Sequence, residues 1–328
     1  MREVFAHAEF RKLFFSNLFS GFGQGMTMIG IAWYLVETTG SAQLLGSTMF
    51  VSAVLMFFIG PYIGTLIDRN SRKKMLLAEN LIGFGVLGVL AVWGFFGEYQ
   101  EWMLITIYLV TTFMYQIHYP AQSALVQETF KPKHYNDINS LLEIEGQTAS
   151  VLAGAFSGLL LGKFGLSTVV LFNALTYLFA FCLLSTMKYT FTLEGEAKLS
   201  RGVSWISQFG QSWSYIKEKK GFLVFGICAL MPFIAVMASN LLKPVYVSQT
   251  LQADVSVFSF GEMAYALGAV AAGILVSMVV RKMGQLAAMV ANTLLFAVVI
   301  VVMVALPYGW ALIGAYMFYG WSNASVRL

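Results

Sequence analysis

The chain divides into ten long apolar runs, each closed by charges or turn-forming residues: 13–36, 43–66, 75–97, 102–122, 138–162, 168–188, 221–246, 255–280, 285–305 and 309–326. A bilayer core of about 30 Å needs roughly 20 apolar residues per spanning helix, so the pattern predicts an all-α membrane protein with ten transmembrane helices. Polar residues inside the runs recur at helical spacing. Ser16, Ser20, Gln24 and Thr27 share one face of the first run, Thr111, Tyr115, His118 and Gln122 one face of the fourth, and Glu143, Gln147 and Ser150 one face of the fifth. Polar groups are costly in lipid, so these stripes are expected to face a bundle interior or a water-filled cavity. Taken singly, each Ser, Thr or Tyr is better read as hydrogen-bonded to its own or a neighbouring helix, and only the stripes together favour a cavity.

Composition agrees with a lipid solvent. Hydrophobic residues make up 58% and charged residues 11% of the 328, against roughly 45–50% and about 25% in soluble domains. Cys182 and Cys228 both lie in apolar runs, which leaves no disulfide framework and no metal-ligand cluster. Arg2, Arg11 and Lys12 precede the first run as in a signal peptide, but no small-residue cleavage site follows and the apolar stretch continues to Val36. An uncleaved first span is expected. With the N-terminus cytoplasmic, 17 of the 20 Lys and Arg fall on the inner side, and Lys163 and Lys243 fall outside with Glu37, Glu98 and Glu101. The positive-inside rule thus predicts a multi-pass protein of the cell membrane with a cytoplasmic N-terminus. The net charge of +4 belongs to this asymmetry, and no nucleic-acid partner is expected.

The longest polar interval, Tyr189 to Lys220, separates residues 1–188 from 221–328. Its second half carries Trp205, Ile206, Phe209, Trp213 and Ile216 near helical spacing, followed by Lys217, Lys219 and Lys220. Either this is an amphipathic helix lying on the inner membrane surface, or it is a linker with incidental aromatics.

Between the second and third runs the chain reads Gly64-Thr65-Leu66-Ile67-Asp68-Arg69-Asn70-Ser71-Arg72-Lys73-Lys74. Gly64 permits close helix contact, and Asp68 gives the four cations a partner and can accept hydrogen bonds from a helix N-terminus. The stretch resembles the signature loop of the major facilitator superfamily, Gly-x-Leu-x-Asp-Arg-x-Gly-Arg-Arg/Lys. Trp33 to Ala42 and Tyr119-Pro120-Ala121 resemble the macrolide-efflux and related exporter branch.

The resemblance implies two pseudo-symmetric helical bundles, with ten of an expected twelve helices present. It implies a conformational latch at Gly64, Leu66, Asp68, Arg69, Arg72 and Lys73, in which Asp68 engages the start of helix eleven. It also implies a cavity lined largely by spans one, four, seven and ten, so that Gln24, Thr27, Tyr115, Gln122, Asn240, Tyr316, Trp321 and Asn323 become candidate substrate contacts. The chain stops at Arg327-Leu328, inside or just after the tenth run, and by this likeness the 328 residues alone are expected to be unstable or inactive.

The sequence departs from the family pattern in three places. Ser71 replaces a Gly, which is tolerable if that backbone position needs no positive φ. Span four lacks the Arg of many proton-coupled exporters, and span five has Gly154-Ala155-Phe156-Ser157-Gly158 in place of Gly-Pro-x-x-Gly.

The ionisable coupling candidates are Glu262, Glu143 and His118. Glu262 lies in an apolar run where holding a charge is costly, or else near the outer headgroups if span eight begins only a turn or two earlier. Glu143 and Glu145 cannot share a helical face, and Glu143 extends the polar stripe. His118 titrates readily, but a lone His there also suits packing. No Walker loop, metal cluster or nucleophile motif is present, so neither enzymatic activity nor a cofactor is expected. The implied function is export of small amphipathic organic molecules by alternating access, coupled to protons, by a monomer in the bilayer. Nutrient uptake, or a non-transporting membrane protein, are the alternatives.

Overall fold

The computed structural model describes residues 2–191 and 222–327, and the stretch containing Trp205, Trp213 and Lys217 lies outside the described residues. A short α1 (Arg2–Ala6) precedes α2 (Ala8–Thr39), α3 (Ala42–Arg69), α4 (Arg72–Phe96), α5 (Glu101–Thr129) and α6 (Tyr135–Ser185). After the linker come α7 (Phe222–Val245), α8 (Val255–Met283), α9 (Gln285–Ala305) and α10 (Gly309–Arg327), with the π-turn Tyr246–Thr250 extending α7. Every apolar run lies on a helix. α6 carries two of them, because Gly165, at φ 76 and ψ 174, adopts a conformation essentially restricted to glycine and turns the chain back on itself. Gly284 does the same between α8 and α9, at φ 83 and ψ 156.

Two boundaries differ from the sequence expectation. α5 continues through Pro120 to Thr129, so Tyr119-Pro120-Ala121 lies inside the helix rather than at its end. A proline within a helix removes one backbone bond, and the turns on either side keep their own. Lys243, expected on the outer surface, is buried within α7 because the helix and its π-turn run on past it. Among the described residues, five helical segments, on α3, α4, α6, α8 and α9, are long and apolar enough to cross a membrane by length and composition alone. α2, α5 and α10 are not among them. Two of these three, α2 and α5, carry polar stripes, and all three put polar side chains against their neighbours.

The first bundle is organised around α2, which is wedged between the two limbs of α6. A Cβ on Gly21 or Gly25 would lie 3.4 Å from Ala149 Cβ or 2.8 Å from Ala153 Cβ on the first limb. On the other side of the helix, a Cβ on Gly23 would meet Thr176 and Asn173, and one on Gly30 would lie 3.5 Å from Val169, all on the second limb. Small residues here let backbones approach without a competing side chain. In the second bundle α8 and α10 interlock reciprocally: a Cβ on Gly268 would lie 1.8 Å from Met317 O, and one on Gly320 would lie 2.0 Å from Tyr265 O.

The bundles meet through α6 and α8. Gly154, Gly158 and Gly162, four residues apart, face Met263, Ser259 and Val255, also four apart. The Ser157 hydroxyl donates to Ser259 Oγ at 3.0 Å. Trp33 stacks on Phe258 at 6.0 Å between ring centres, Gly46 faces Leu241, and Gln249 Nε2 donates to Gly40 O at 3.2 Å. All of these contacts lie toward the end of the molecule that carries Glu37, Glu98 and Glu101, the acidic end, and away from the end that carries Arg72 to Lys74.

The close α8–α10 crossing generates a stability prediction. Gly268→Ala drives a methyl into the Met317 carbonyl and is expected to cost about 1–3 kcal/mol, as overpacking does. Gly314→Ala, where nothing lies within 4 Å among the described residues, is expected to be neutral or slightly stabilising. Melting temperatures of the two variants in the same detergent check the contrast.

Candidate functional site

Each bundle buries its own charged group. In the first bundle, His118 on α5 places Nδ1 3.1 Å from Glu79 Oε1 and 3.3 Å from Oε2 on α4. The Glu79 side chain is 2% exposed. Glu145 on the first limb of α6 is also buried and lies within electrostatic reach of His118. A carboxylate this deep needs a hydrogen-bonded partner, and the geometry serves either proton position: His118 Nδ1–H donating to the carboxylate, or a protonated Glu79 donating to Nδ1. The hydroxyl of Tyr177, within electrostatic reach of Glu79, is buried without a hydrogen-bond partner among the described residues.

The two α6 carboxylates separate as their spacing requires, with one inside and one out. It is Glu145 that is buried, while Glu143 is exposed and accepts a hydrogen bond from Gln147 at 2.9 Å. The face of α6 that turns inward is set by α2, through Gly21 and Gly25, and not by continuity of the polar stripe. Glu79 was passed over in the sequence because a carboxylate a few residues from Arg72, Lys73 and Lys74 reads as one more interfacial charge. The available signal was its apolar surroundings on a spanning helix, where an ionisable residue is a candidate by default.

In the second bundle, Lys243 Nζ lies 2.6 Å from Glu262 Oε1. The ammonium also sits over the rings of Tyr265 and Tyr316, 5.5 Å and 5.2 Å from their centres. Glu262 therefore faces α7 inside the bundle, one residue from Met263 at the end of the inter-bundle seam.

The remaining predicted residues are distributed between interior and surface. Gln24 Nε2 donates to Thr111 O at 3.0 Å, and Thr27 is fully buried. Gln122 is buried, whereas Tyr115, on the same face by its spacing, and Tyr119 are largely exposed. In the second bundle, Trp321 Nε1 donates to Asn292 Oδ1 at 2.9 Å and Asn323 Nδ2 to the Tyr265 hydroxyl at 2.6 Å. Asn240 is half-buried on α7.

The signature loop is partly structural. Ser71 has φ −59 and its hydroxyl caps α4 by accepting from Lys74 N, so the replacement of Gly carries no backbone strain. Lys73 Nζ donates to Ser185 O at 2.8 Å and Met187 O at 2.6 Å, placing a cation at the carboxyl end of α6, where the helix dipole favours it. Arg72, buried, lies 3.8 Å from Glu128 and 5.1 Å from the Phe191 ring centre. The Tyr189 hydroxyl donates to Glu128, and burial first, then the carboxylate, raise that phenol well above its ordinary pKa. Arg69 is exposed, as is Leu66. The side chain of Asp68 lies outside the described residues. Gly64 was expected to allow a close helix contact, but a Cβ there would meet nothing within 4 Å among the described residues. The inner half of α3 turns this face toward open space, together with Gly60.

With this geometry in place, three comparisons locate the chain. The family profile described as Major Facilitator Superfamily matches residues 13–326. Macrolide efflux protein A of Streptococcus pyogenes is 23% identical over 267 residues, covering 78% of this chain. That alignment spans 64% of the relative's own length. Among solved structures, the nucleoside transporter NupG superposes with a TM-score of 0.70 at 14% identity, covering 98% of this chain and 80% of NupG. A bacterial homologue of the iron transporter ferroportin, in its inward-facing state, gives the same TM-score and identity over 97% of this chain and 82% of its own.

The buried His118–Glu79 contact generates a double-mutant test. His118→Leu strands the Glu79 carboxylate and is expected to cost about 3–5 kcal/mol, while His118→Leu/Glu79→Leu recovers most of the loss. Denaturation of both variants and of Glu79→Leu in detergent closes the cycle; additive effects would show that the two side chains are not coupled.

Proposed function

The chain belongs to the Major Facilitator Superfamily, and we propose that it exports small amphipathic organic molecules across the cell membrane in exchange for protons. The observation that carries this reading is the polarity of the inter-bundle joint: Gly154, Gly158, Ser157 and Trp33 hold the bundles together toward the acidic end. With the basic end in the cytoplasm by the positive-inside rule, that joint closes the outer side. This is the state in which an exporter loads its cargo from the cytoplasm, before two bundles rock about a central site.

Export rather than uptake is supported by the likeness to macrolide efflux protein A. Macrolides are mostly apolar with a few polar groups, which suits an aromatic, weakly polar path. The coupling group in this reading is His118 with Glu79 and Glu145. A proton shared across the 3.1 Å contact can leave or enter while the group stays hydrogen-bonded, and Glu145 is on the same limb of α6 as the glycine seam.

Export is tested by accumulation of radiolabelled erythromycin in a sensitive host. Expression of the protein at the length of its relatives is expected to lower accumulation; a rise would establish uptake and overturn the reading. In proteoliposomes, a pH-sensitive dye is expected to report erythromycin-dependent proton movement that disappears in Glu79→Gln and His118→Asn. Proton movement in neither direction across a broad panel of compounds would eliminate proton coupling.

The joint supplies a second test. Ser157→Cys/Ser259→Cys, at a hydroxyl separation of 3.0 Å, is expected to form a cross-link on oxidation and arrest transport. A reductant is expected to restore it.

A further inference from the structure

The Lys243–Glu262 pair has features that stability alone does not call for. Two charges taken out of water gain little over well-packed apolar residues unless their geometry and hydrogen bonds are complete. Here the ammonium, with three donors, makes one hydrogen bond to a side chain among the described residues, at 2.6 Å to Glu262. Its other neighbours of note are two aromatic faces, those of Tyr265 and Tyr316. A carboxylate with aromatic faces is the chemistry that recognises an organic cation, because the ring quadrupole attracts positive charge and the carboxylate neutralises it. The Tyr316 hydroxyl, buried in the same group, has no hydrogen-bond partner among the described residues, which leaves one polar atom for a ligand to satisfy.

We propose that Lys243 is an internal occupant of a site for lipophilic organic cations, such as a protonated amine on an apolar body, and that such a substrate displaces its ammonium from Glu262. This deepens the export reading by naming a substrate class and a place for it.

Three observations support displacement in this direction. The Glu262 side chain is 21% exposed and that of Lys243 9%, so the carboxylate is the more reachable partner. Met263 and Ser259 of α8 face Gly154 and Gly158 of α6, and Glu262 is adjacent to Met263, the contact of that seam farthest from the acidic end. The pair therefore lies where a cavity entered from the basic end would terminate. Lys243 is near the acidic end of α7, so once displaced it can extend its flexible stem toward the headgroups there. The exchange conserves charge: one cation leaves Glu262 as another arrives, and no carboxylate is left bare in the membrane. An anionic substrate would instead have to take Lys243 while facing the electron-rich rings, which disfavours it.

Tetraphenylphosphonium and tetraphenylborate share a shape and differ in sign, which makes them suitable probes. Binding of each radiolabelled ion to the purified protein, at the length of its relatives, is measured by scintillation proximity in detergent, against protein-free micelles. The wild-type chain is expected to bind the phosphonium and not the borate. Lys243→Met removes the competing occupant, and an affinity reduced by the occupied fraction is then expected to recover by about tenfold or more. Glu262→Gln is expected to abolish binding. Lys243→Met/Glu262→Gln, neutral throughout, serves as the folding control and is also expected not to bind.

Equal or tighter binding of the borate, absence of phosphonium binding to the wild type, or a folded Lys243→Met that binds no tighter would each overturn the proposal. If Lys243→Met fails to fold, the wild-type comparison of the two ions and the Glu262→Gln result still decide it. Erythromycin export without phosphonium binding would leave the export reading standing and this inference lost. Phosphonium binding without erythromycin export would do the reverse.

Discussion

An ionised side chain placed in hydrocarbon has no water to hold its charge, and the architecture of this chain follows from where that difficulty is resolved. Each bundle pairs its buried charges internally, His118 with Glu79 in the first and Lys243 with Glu262 in the second. Of the inter-bundle contacts described, none is an ion pair; they are glycine backbones, two serine hydroxyls, an aromatic stack and one amide. A joint of this kind can open and close without exposing a bare charge to lipid. The separation of duties suits a transporter, since the parts that move relative to one another are held by weak contacts and the parts that carry charge stay within rigid units.

The charged groups and the joint are nevertheless close along one element. Glu145, Gly154 and Gly158 belong to the first limb of α6, which presses on α2 with one set of residues and on α8 with another. A tilt of this limb that separates Gly158 from Ser259 also shifts Glu145 relative to His118. In the proton-coupled reading proposed above, this is a physical route by which gaining or losing a proton biases the joint. It needs no chain of specialised residues, only a stiff helix shared by two interfaces.

Much of the architecture was legible in the sequence because lipid imposes a one-dimensional signal: length and apolarity locate helices, and Gly64 to Lys74 identify the family. What remained hidden was the identity of each residue's neighbour. The stripe Ser16, Ser20, Gln24 and Thr27 shares a face as its spacing requires, but spacing does not say that this face meets α5 and α6, where Ser16 bonds Ala180 O and Gln24 bonds Thr111 O. The choice between Glu143 and Glu145 depended on two glycines of α2, more than a hundred residues away in sequence. Glu79 was masked by the basic loop beside it, and Lys243 by its position near a helix end. Each is an ordinary residue until its partner on another helix is known.

The seam of Gly154, Gly158 and Gly162 has a consequence for how such proteins diversify. A contact made by the absence of side chains requires only that a few positions stay small, and it leaves the neighbouring positions free to change. Cargo-facing residues can then be replaced without disturbing the pivot. The fold itself is shared with a nucleoside transporter at 14% identity.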